Sequence, residues 1–446
     1  MAAPDIPTTG QAPAKLDTRR NVIAYTGDSV SFFSGMAFIP ATTVLVGLAS
    51  TLTSDKALIG GVAMSWGVAS LIPQLIAARM MHGKRRAKRT IIVTSLLGRQ
   101  SMLLFALWLL LSRAQQPLLT LYLLIAAIVV FNVFDAFTGI AWFDMLGRNL
   151  TPRGRGRILG FGQLMGSITG IGSGLIVERL LSPDGLPYPQ NYAVVIICAW
   201  IGFIISLCFQ FLYEENPMSE QTVSESQEGS FISHLRETLS SDAAFRRLLI
   251  VRALTSLETM TAAFYVVYIK DRLQLPDASI GVFSVAFIVG GILGVAAFGA
   301  LAARRGPLSV IRLATVLQAA APLLAFAVAI VPGATGLPLV AYGVFVVSLA
   351  LDGAVGRSFV LGYSSYAIDQ APDQRRAIYV GVLSTLSGLV SLSPVLAGVF
   401  LDAMARTANG TSGYPIIFGA VAIFAGIGAV ISFSLPVPAK QIAVQG

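Results

Sequence analysis

Twelve long apolar stretches constrain this chain more than any other feature of its sequence. An α-helix rises about 1.5 Å per residue, so about 20 apolar residues are enough to cross the hydrocarbon core of a bilayer. The approximate cores of the stretches are 22–49, 57–79, 91–112, 117–144, 158–181, 192–213, 248–270, 279–302, 308–331, 337–367, 377–403 and 414–435. Only 12% of the residues are charged, about half the share of a soluble domain. We therefore predict an all-α integral membrane protein with twelve transmembrane helices, here called spans one to twelve.

One long polar segment divides the spans into two groups of six. Residues 214–246 are rich in Ser and Glu, which is typical of a flexible linker. The predicted parts are an N-terminal tail (1–20), an N-terminal six-helix bundle (21–213), this linker (214–246), a C-terminal six-helix bundle (247–435) and a C-terminal tail (436–446).

The distribution of basic residues predicts the orientation. Of the 31 Lys and Arg residues, 22 lie in the tails, the linker and the turns on their side of the membrane, six lie in the opposite loops and three lie within spans. Basic residues gather on the cytoplasmic side of membrane proteins. We expect a multi-pass protein of the plasma membrane with both termini and the linker in the cytoplasm.

The two groups of spans repeat each other. Basic turns follow spans two and eight, and Gly83 and Gly306 in these turns are 223 residues apart. Spans four and ten end in an acid, Asp144 and Asp369, which is followed by a proline and then by arginines that include Arg376 in the second copy. Because each copy has six spans, both run through the membrane in the same direction. This predicts two pseudo-symmetric six-helix bundles.

The turn after span eight, "GALAARRG", resembles the turn motif of the major facilitator superfamily (MFS) of transporters. The matching residues are Gly299, Leu301, Arg304 and Gly306, with Gly83, Lys84 and Arg85 in the weaker first-half copy. Ala303 and Met80 stand where the family has an acid that helps to lock one conformation. Together with the repeat and the long middle loop, the resemblance implies the MFS fold and transport by alternating access. It also implies that Arg304, Arg85, Asp144, Asp369 and Arg376 belong to gating turns.

Six ionisable residues interrupt the spans where charge is expensive. They are Asp28, Arg99, Asp135, Glu258, Asp352 and Arg357. An ionised side chain at the bilayer centre costs about 2.5–3.5 kcal/mol on insertion scales, so such residues face a protein interior or a wet cavity. Counted from the nearest inner helix end, Asp28 lies roughly 12 Å deep, Asp135 roughly 13 Å and Glu258 roughly 16 Å. Asp352 and Arg357 fall in the middle of span ten.

The four acids lie on spans one, four, seven and ten, which the resemblance implies line the central cavity. A carboxyl group removed from water binds a proton more readily, so these acids are candidate proton and substrate sites. Arg357 of span ten is a further candidate residue of the substrate and proton site. Alternatively, Asp28 pairs within its own half with Arg99, which then acts as a structural partner. We expect Asp28→Asn and Glu258→Gln each to reduce coupled transport without preventing folding.

Aromatic residues are dense on the same four spans and include the candidate substrate contacts Tyr25, Trp142 and Tyr265. Most membrane aromatics pack or anchor at interfaces, but their coincidence with the acids favours a bulky, partly apolar substrate. A highly hydroxylated sugar would require more Asn and Gln than these spans contain.

These observations predict a monomeric secondary active transporter that is coupled to protons and moves a small, partly apolar solute, with export favoured over import. We expect no cofactor, no metal and no nucleic-acid partner. The sequence has no HExxH, GxSxG or paired-Asp metal motif, so we expect no enzymatic activity. The alternatives are a membrane sensor or scaffold that has this fold without transporting, and a facilitator or importer of a polar metabolite.

Overall fold

A computed structural model describes residues 18–81, 86–150, 152–215, 242–330, 338–356, 358–371, 376–406 and 413–437. These residues form helices joined by short turns, without a strand among them. The N-terminal half contains α1 (Arg19–Phe38), a π-helical segment (Ala41–Leu45), α2 (Val46–Leu52), α3 (Lys56–Val68), α4 (Leu71–Met81), α5 (Lys88–Ser112), α6 (Pro117–Asn149), α7 (Pro152–Leu181) and α8 (Gln190–Phe211). The C-terminal half contains α9 (Ala243–Ser256), α10 (Thr259–Arg272), α11 (Ser279–Arg305), α12 (Pro307–Ile330), α13 (Pro338–Val355), a π-helical segment (Phe359–Ser364), α14 (Ser365–Gln370), α15 (Arg376–Val390), α16 (Ser393–Ala405) and α17 (Tyr414–Ser432).

The all-α membrane fold predicted from the sequence is confirmed. Among the described residues, eleven helical segments are long and apolar enough to cross a membrane. A shorter apolar helix, Leu339–Val355, lies where the tenth span is expected. It is short because span ten, expected as one helix over 337–367, is divided into α13, the π-helical segment and α14.

Five of the described spans break near their middle: span two breaks between α3 and α4, span eleven breaks between α15 and α16, and spans one, seven and ten break as follows. In span one, Pro40 separates α1 from the π-helical segment, because proline lacks an N–H and its ring obstructs a continuing helix. Span seven breaks at Leu257 and Glu258, between α9 and α10. Span ten breaks after Val355, at Gly356. Irregular backbone at membrane depth is tolerated where it is buried in protein or lines a cavity, and it marks the binding sites of many transporters.

The two halves contact each other at one end of the bundle. We call the end where α1 begins and α17 ends the terminal side, and the opposite end the far side. On the far side α3 packs on α16, where a Cβ atom at Gly60 would lie 2.3 Å from the Pro394 carbonyl oxygen. There α7 also packs on α11, where a Cβ atom at Gly281 would lie 2.4 Å from the Glu178 nitrogen. Glycine therefore allows the close approach of the halves at both contacts.

Polar contacts join the halves at the same end. The Lys56 ammonium forms an ion pair with Asp271. The Asp402 carboxylate accepts hydrogen bonds from the backbone N–H groups of Lys56 (3.0 Å) and Ala57 (2.9 Å), so that an acid of α16 caps the N-terminus of α3.

On the far side, buried apolar residues of the two halves pack together in one cluster. On the terminal side, each half has its own cluster. One large cluster combines residues of both halves, such as Leu48 and Phe264. Toward the terminal side, a cluster around Tyr25 and Met145 belongs to the N-terminal half alone, and a cluster around Phe245 and Tyr366 belongs to the C-terminal half alone. The structure is therefore closed on the far side, with separately packed halves on the terminal side.

Candidate substrate and proton site

Three adjoining cavities lie among the spans: one in the N-terminal half, one mainly in the C-terminal half and one between the two halves. The N-terminal cavity, about 210 Å³, is lined by residues that include Asp28, Arg99 and Asp135. The C-terminal cavity, about 280 Å³, is lined by residues that include Glu258 and Asp352. The central cavity, about 370 Å³, has a largely apolar wall that includes Phe32, Phe33, Trp66 and Phe287. The acids of spans one, four, seven and ten therefore reach one composite hollow.

Shared wall residues connect the three cavities. Phe32 and Phe33 line both the N-terminal and the central cavity. Thr42 and Phe287 line both the central and the C-terminal cavity. A solute in the central cavity would thus contact aromatic rings, with carboxyl groups at both ends.

The Asp28 carboxylate is enclosed by hydrogen-bond donors of its own half. It is only 4% exposed. The donors are the indole N–H of Trp142 (2.8 Å), the amide of Gln210 (3.2 Å) and the hydroxyl groups of Ser206 and Tyr213. Because all four groups donate to it, the site fits an ionised carboxylate, which only accepts hydrogen bonds.

Arg99 and Asp135 are the charged neighbours of Asp28. The Arg99 guanidinium donates to the Phe203 carbonyl oxygen (2.6 Å) and lies over the Phe32 ring, 5.8 Å from its centroid. Among the described residues, no ion pair within 4.0 Å joins Arg99 to either acid. It still interacts with both carboxylates through the low-dielectric interior. Arg99 is therefore a buried countercharge for the N-terminal cavity.

Glu258 and Asp352 form a pair of buried carboxyl groups in the C-terminal half. They are 6% and 9% exposed. Neither Asp352 oxygen receives a hydrogen bond from a donor, yet the two carboxyl groups lie within hydrogen-bonding range of each other. Since an ionised carboxylate only accepts, this contact becomes a hydrogen bond when one of the two groups carries a proton. The geometry is suited to one proton shared by two acids.

Arg252 lies beside this pair but is engaged elsewhere. Its Nε donates to the Ser387 hydroxyl (3.0 Å), and its guanidinium lies 5.0 Å and 4.9 Å from the ring centroids of Phe359 and Tyr363. Cation–π contacts of this kind stabilise a desolvated guanidinium. No ion pair within 4.0 Å joins Arg252 to Glu258 or Asp352 in the described part of the chain.

The breaks of spans one, seven and ten converge on the C-terminal cavity. Thr42 lies in the π-helical segment of span one, Glu258 lies at the break of span seven, and Gly356 lies at the break of span ten. All three line this cavity. The interrupted helices thus present both side chains and backbone groups to the same space.

Most of the chain matches the model of a known protein family. The family model described as "MFS/sugar transport protein" matches residues 79–433, most of the chain. The chain belongs to the major facilitator superfamily. It is therefore a secondary transporter of the multi-pass membrane type, and this family does not consist of enzymes.

Solved structures of other MFS transporters share the fold. They include the nucleoside transporter NupG (TM-score 0.62, 17% identity, covering 94% of this chain and 98% of that one). The xylose transporter XylE from E. coli, in a partially occluded inward-open conformation, has a TM-score of 0.63 at 12% identity, with coverage of 94% and 98%. A D-xylose–proton symporter has a TM-score of 0.68 at 11% identity, with coverage of 94% and 98%. No curated protein is detectably similar in sequence.

Three aromatic residues of this MFS transporter were predicted to contact substrate, and they lie in different environments. Trp142 lines the N-terminal cavity. Tyr25 lies outside the cavity lining and supports it by stacking on Tyr213, with ring centroids 4.2 Å apart. Tyr265 is fully buried among other aromatic rings, where its hydroxyl group is 3.1 Å from the Thr261 hydroxyl oxygen.

Several predicted gating residues of the MFS turn motif have defined positions. Arg304 is exposed near the end of α11, and Gly299 faces open space on the same helix. Gly306 ends α11 with a φ of 78°, a conformation that glycine adopts without strain, and its N–H bonds to the Ala302 carbonyl oxygen (2.9 Å). The positive φ at the end of α11 therefore explains why the motif has glycine at position 306.

The structure gives less detail on the other residues that were predicted to form gating turns. Asp144 lies near the end of α6 and Asp369 near the end of α14, and both take part in polar interactions. Arg376 begins α15. Gly83 and Arg85 lie outside the described residues, as does Arg357, which was predicted to belong to the substrate and proton site.

Sequence reasoning missed the donors that surround Asp28. Ser206 and Gln210 lie one helical turn apart on α8, and Tyr213 follows its end. Their spacing of about one turn on an otherwise apolar helix places them on one face, which is the signal that could have found them.

Proposed function

We propose that this MFS transporter is coupled to protons and moves a small, partly apolar solute across the plasma membrane by alternating access. The observation that carries the proposal is the composite hollow, in which buried acids of both halves adjoin an aromatic wall. A scaffold without transport activity would have no reason to retain this many buried carboxyl groups.

The contacts between the halves support alternating access. The far side is closed by glycine-lined helix contacts and by the capping of α3 through Asp402. The described contacts of the terminal side join residues of one half, such as Arg20 with Glu214 and Tyr379 with Asp242. If these halves rock about the hollow, the far side opens as the terminal side closes.

The direction follows from the orientation that the basic residues predict. With the terminal side in the cytoplasm, the hollow in this conformation is reached from the cytoplasm. In the proposed exporter this is the loading state, in which a cytoplasmic solute would be exchanged for an external proton; in an importer the same conformation would be the release state.

The carboxyl pair is the proposed proton carrier. Glu258 and Asp352 can share a proton, and neither forms an ion pair with a described cation. Uptake of the proton removes one charge from the hollow and so reduces the cost of closing it.

Reconstituted liposomes test this function. Solutes that raise the melting temperature of the purified protein are added on one side under an imposed pH gradient, and proton flux is recorded. We expect solute-dependent proton flux in the wild type and its loss in Glu258→Gln and Asp352→Asn. The exposed far-side residue Asp184 provides the control, because Asp184→Asn should leave the flux unchanged.

The outcomes distinguish a proton-coupled transporter from a facilitator and from a non-transporting sensor. Full coupled flux in both acid variants would refute the proton site. Solute movement without proton flux would indicate a facilitator, and the absence of movement for every bound solute would indicate a non-transporting sensor.

One observation favours the alternative of a polar metabolite. Hydroxyl groups are frequent in the C-terminal cavity, where Thr42, Ser256, Thr259, Ser387 and Ser391 contribute to the wall. The structural neighbours include transporters named for a nucleoside and for xylose. Including a nucleoside and a pentose in the solute set tests this alternative directly, since preferential stabilisation by either would support it.

A further inference from the structure

We propose that the C-terminal cavity binds the ammonium group of an organic amine, whose apolar body occupies the central cavity. This inference names the substrate class and rests on the proposed function for its link to proton exchange.

The first argument is the unmatched hydrogen-bonding capacity of the acid pair. Both oxygens of Asp352 lack a donor although the side chain is more than nine-tenths buried and lines the cavity. Glu258 lies beside it at the helix break and already has the Gln318 side chain as a hydrogen-bond partner, so the unmatched capacity of the pair belongs to Asp352. Leaving buried carboxylate oxygens without donors is costly. An ammonium group supplies three N–H donors together with a positive charge.

The second argument is that the described charges of the hollow are neutralised unequally. Asp28 already accepts four hydrogen bonds, and Arg99 acts as the countercharge for it and for Asp135. Arg252, the equivalent cation of the other half, interacts electrostatically with Glu258 and is also engaged by Ser387 and by two aromatic rings, but no such interaction with Asp352 is found. Among the described residues, Asp352 is therefore the acid of the hollow that lacks both a donor and a countercharge.

The third argument is the apolar space next to the pair. Thr42 and Phe287 belong to the walls of both the C-terminal and the central cavity. An ammonium group at Glu258 and Asp352 would thus place an attached hydrocarbon or aromatic body beside Phe32, Phe33 and Trp66. Aromatic faces also favour a nearby cation.

Exchange of the amine for a proton conserves charge. The pair holding one shared proton carries one negative charge. When the ammonium group binds, that proton leaves to water, and the fully ionised pair with its bound cation again has a net charge of minus one. Among the described residues, the other charged or titratable groups that interact electrostatically with the pair are Arg252 of α9, Tyr265 of α10 and Tyr363 of the π-helical segment in span ten.

Titration calorimetry on the purified, full-length protein tests the substrate class. The three ligands share one skeleton and differ in charge: 3-phenylpropylamine, 3-phenylpropan-1-ol and 3-phenylpropanoate. We expect the amine to bind about tenfold more tightly than the alcohol, and the carboxylate most weakly, because the amine alone adds a charge-assisted hydrogen bond. Repeating the titration in buffers of different ionisation enthalpy should show the release of about one proton per amine bound.

Substitutions of the two acids test whether amine binding depends on the carboxyl pair. Glu258→Gln and Asp352→Asn should each weaken amine binding about tenfold, abolish proton release and leave alcohol binding within about threefold of the wild type. Asp184→Asn should leave all three ligands unaffected. Thermal unfolding of each variant checks that it is folded, and either acid variant alone is sufficient for the comparison.

The results distinguish a failure of the amine inference from a failure of the proposed transport function. Equal binding of amine and alcohol, no binding of the amine, or amine binding that is unchanged in a folded acid variant would overturn the inference. Such a result, together with solute-coupled proton flux in liposomes, would leave the proposed function standing. Acid-dependent amine binding without proton release would support the substrate class and count against proton coupling.

Discussion

At the scale of single residues, two buried acids that resemble each other in the sequence have opposite environments. Asp28 interrupts span one about a quarter of the way along it, and Glu258 interrupts span seven about half-way. In the structure, Asp28 is surrounded by four donors, whereas Glu258 faces another acid. The first environment supplies the carboxyl group with donors and the second places two carboxyl groups side by side, so burial alone does not assign a role.

This difference predicts that Asp28 contributes to stability. In Asp28→Asn, a carboxylate that accepts four hydrogen bonds is replaced by an amide that directs its own N–H groups at donors. We expect the free energy of unfolding to fall by about 2–3 kcal/mol, measured by thermal or denaturant unfolding in detergent. Asp135→Asn is the matched control in the same cavity, since no hydrogen bond to the Asp135 side chain is found in the described structure. A fall of similar size in the control would contradict this account.

The sequence predicted which residues are acidic and deep, but it did not predict their partners. Hydropathy identifies Asp28 because a charge in an apolar span is rare. Ser206 and Gln210 are neutral polar residues of a kind found in many spans, and only the packing of α8 on α1 makes them ligands of Asp28. The pairing of Glu258 with Asp352 depends likewise on how spans seven and ten pack.

At the scale of helices, the spans were predictable and their interruptions were not. Average hydropathy over 20 residues is insensitive to one or two residues that leave the helix, so span ten was expected to be continuous. Pro40 and Gly356 carry a local signal for a break, and Pro73 and Pro394 do so just after the breaks of spans two and eleven. The break at Leu257 and Glu258 contains neither proline nor glycine, and we have no sequence-based account of it.

Close packing between α11 and α13 predicts a position-specific effect of alanine. A Cβ atom at Gly353 would lie 1.8 Å from the Phe287 carbonyl oxygen, whereas one at Gly343 on the same helix would meet no atom within 4 Å. Gly353→Ala must push the two helices apart and should lower the free energy of unfolding by about 1–3 kcal/mol. Gly343→Ala should be neutral or stabilising by up to about 1 kcal/mol, because alanine favours the helix. Equal effects in thermal unfolding would show that the helices are not in such close contact.

At the scale of the whole molecule, the repeat and the charge pattern predicted two parallel bundles but not the conformation that they adopt. The closed far side depends on contacts between residues far apart in the chain, such as Lys56 with Asp271 and with Asp402. Each of these residues is an ordinary loop or helix-end charge in the sequence, and nothing in the spacing links them.

The far-side contacts predict a shift of conformation when they are removed. Asp402→Ala removes a cap that joins the halves, so it should increase the population that is open on the far side. Spin labels placed through Asp184→Cys and Arg406→Cys, with Cys198 and Cys208 replaced by serine, report the distance between the halves. We expect a longer distance to gain population in Asp402→Ala.

The control for this measurement is Asp55→Ala. Asp55 caps the same helix from within its own half, by accepting a hydrogen bond from the Leu58 N–H (3.0 Å). Its loss should lower stability without changing the distance distribution. If both variants shift the distribution alike, or neither does, the cross-half cap does not hold the far side closed.

The central claim is that a shared proton on Glu258 and Asp352 couples two alternating conformations to solute movement. Its most direct test compares solute accumulation under a pH gradient with solute exchange at equal pH, in liposomes containing wild type or Glu258→Gln. We predict that the variant keeps exchange and loses accumulation, because the halves can still alternate around bound solute while no proton is carried. Accumulation at the wild-type level in the folded variant would contradict the claim.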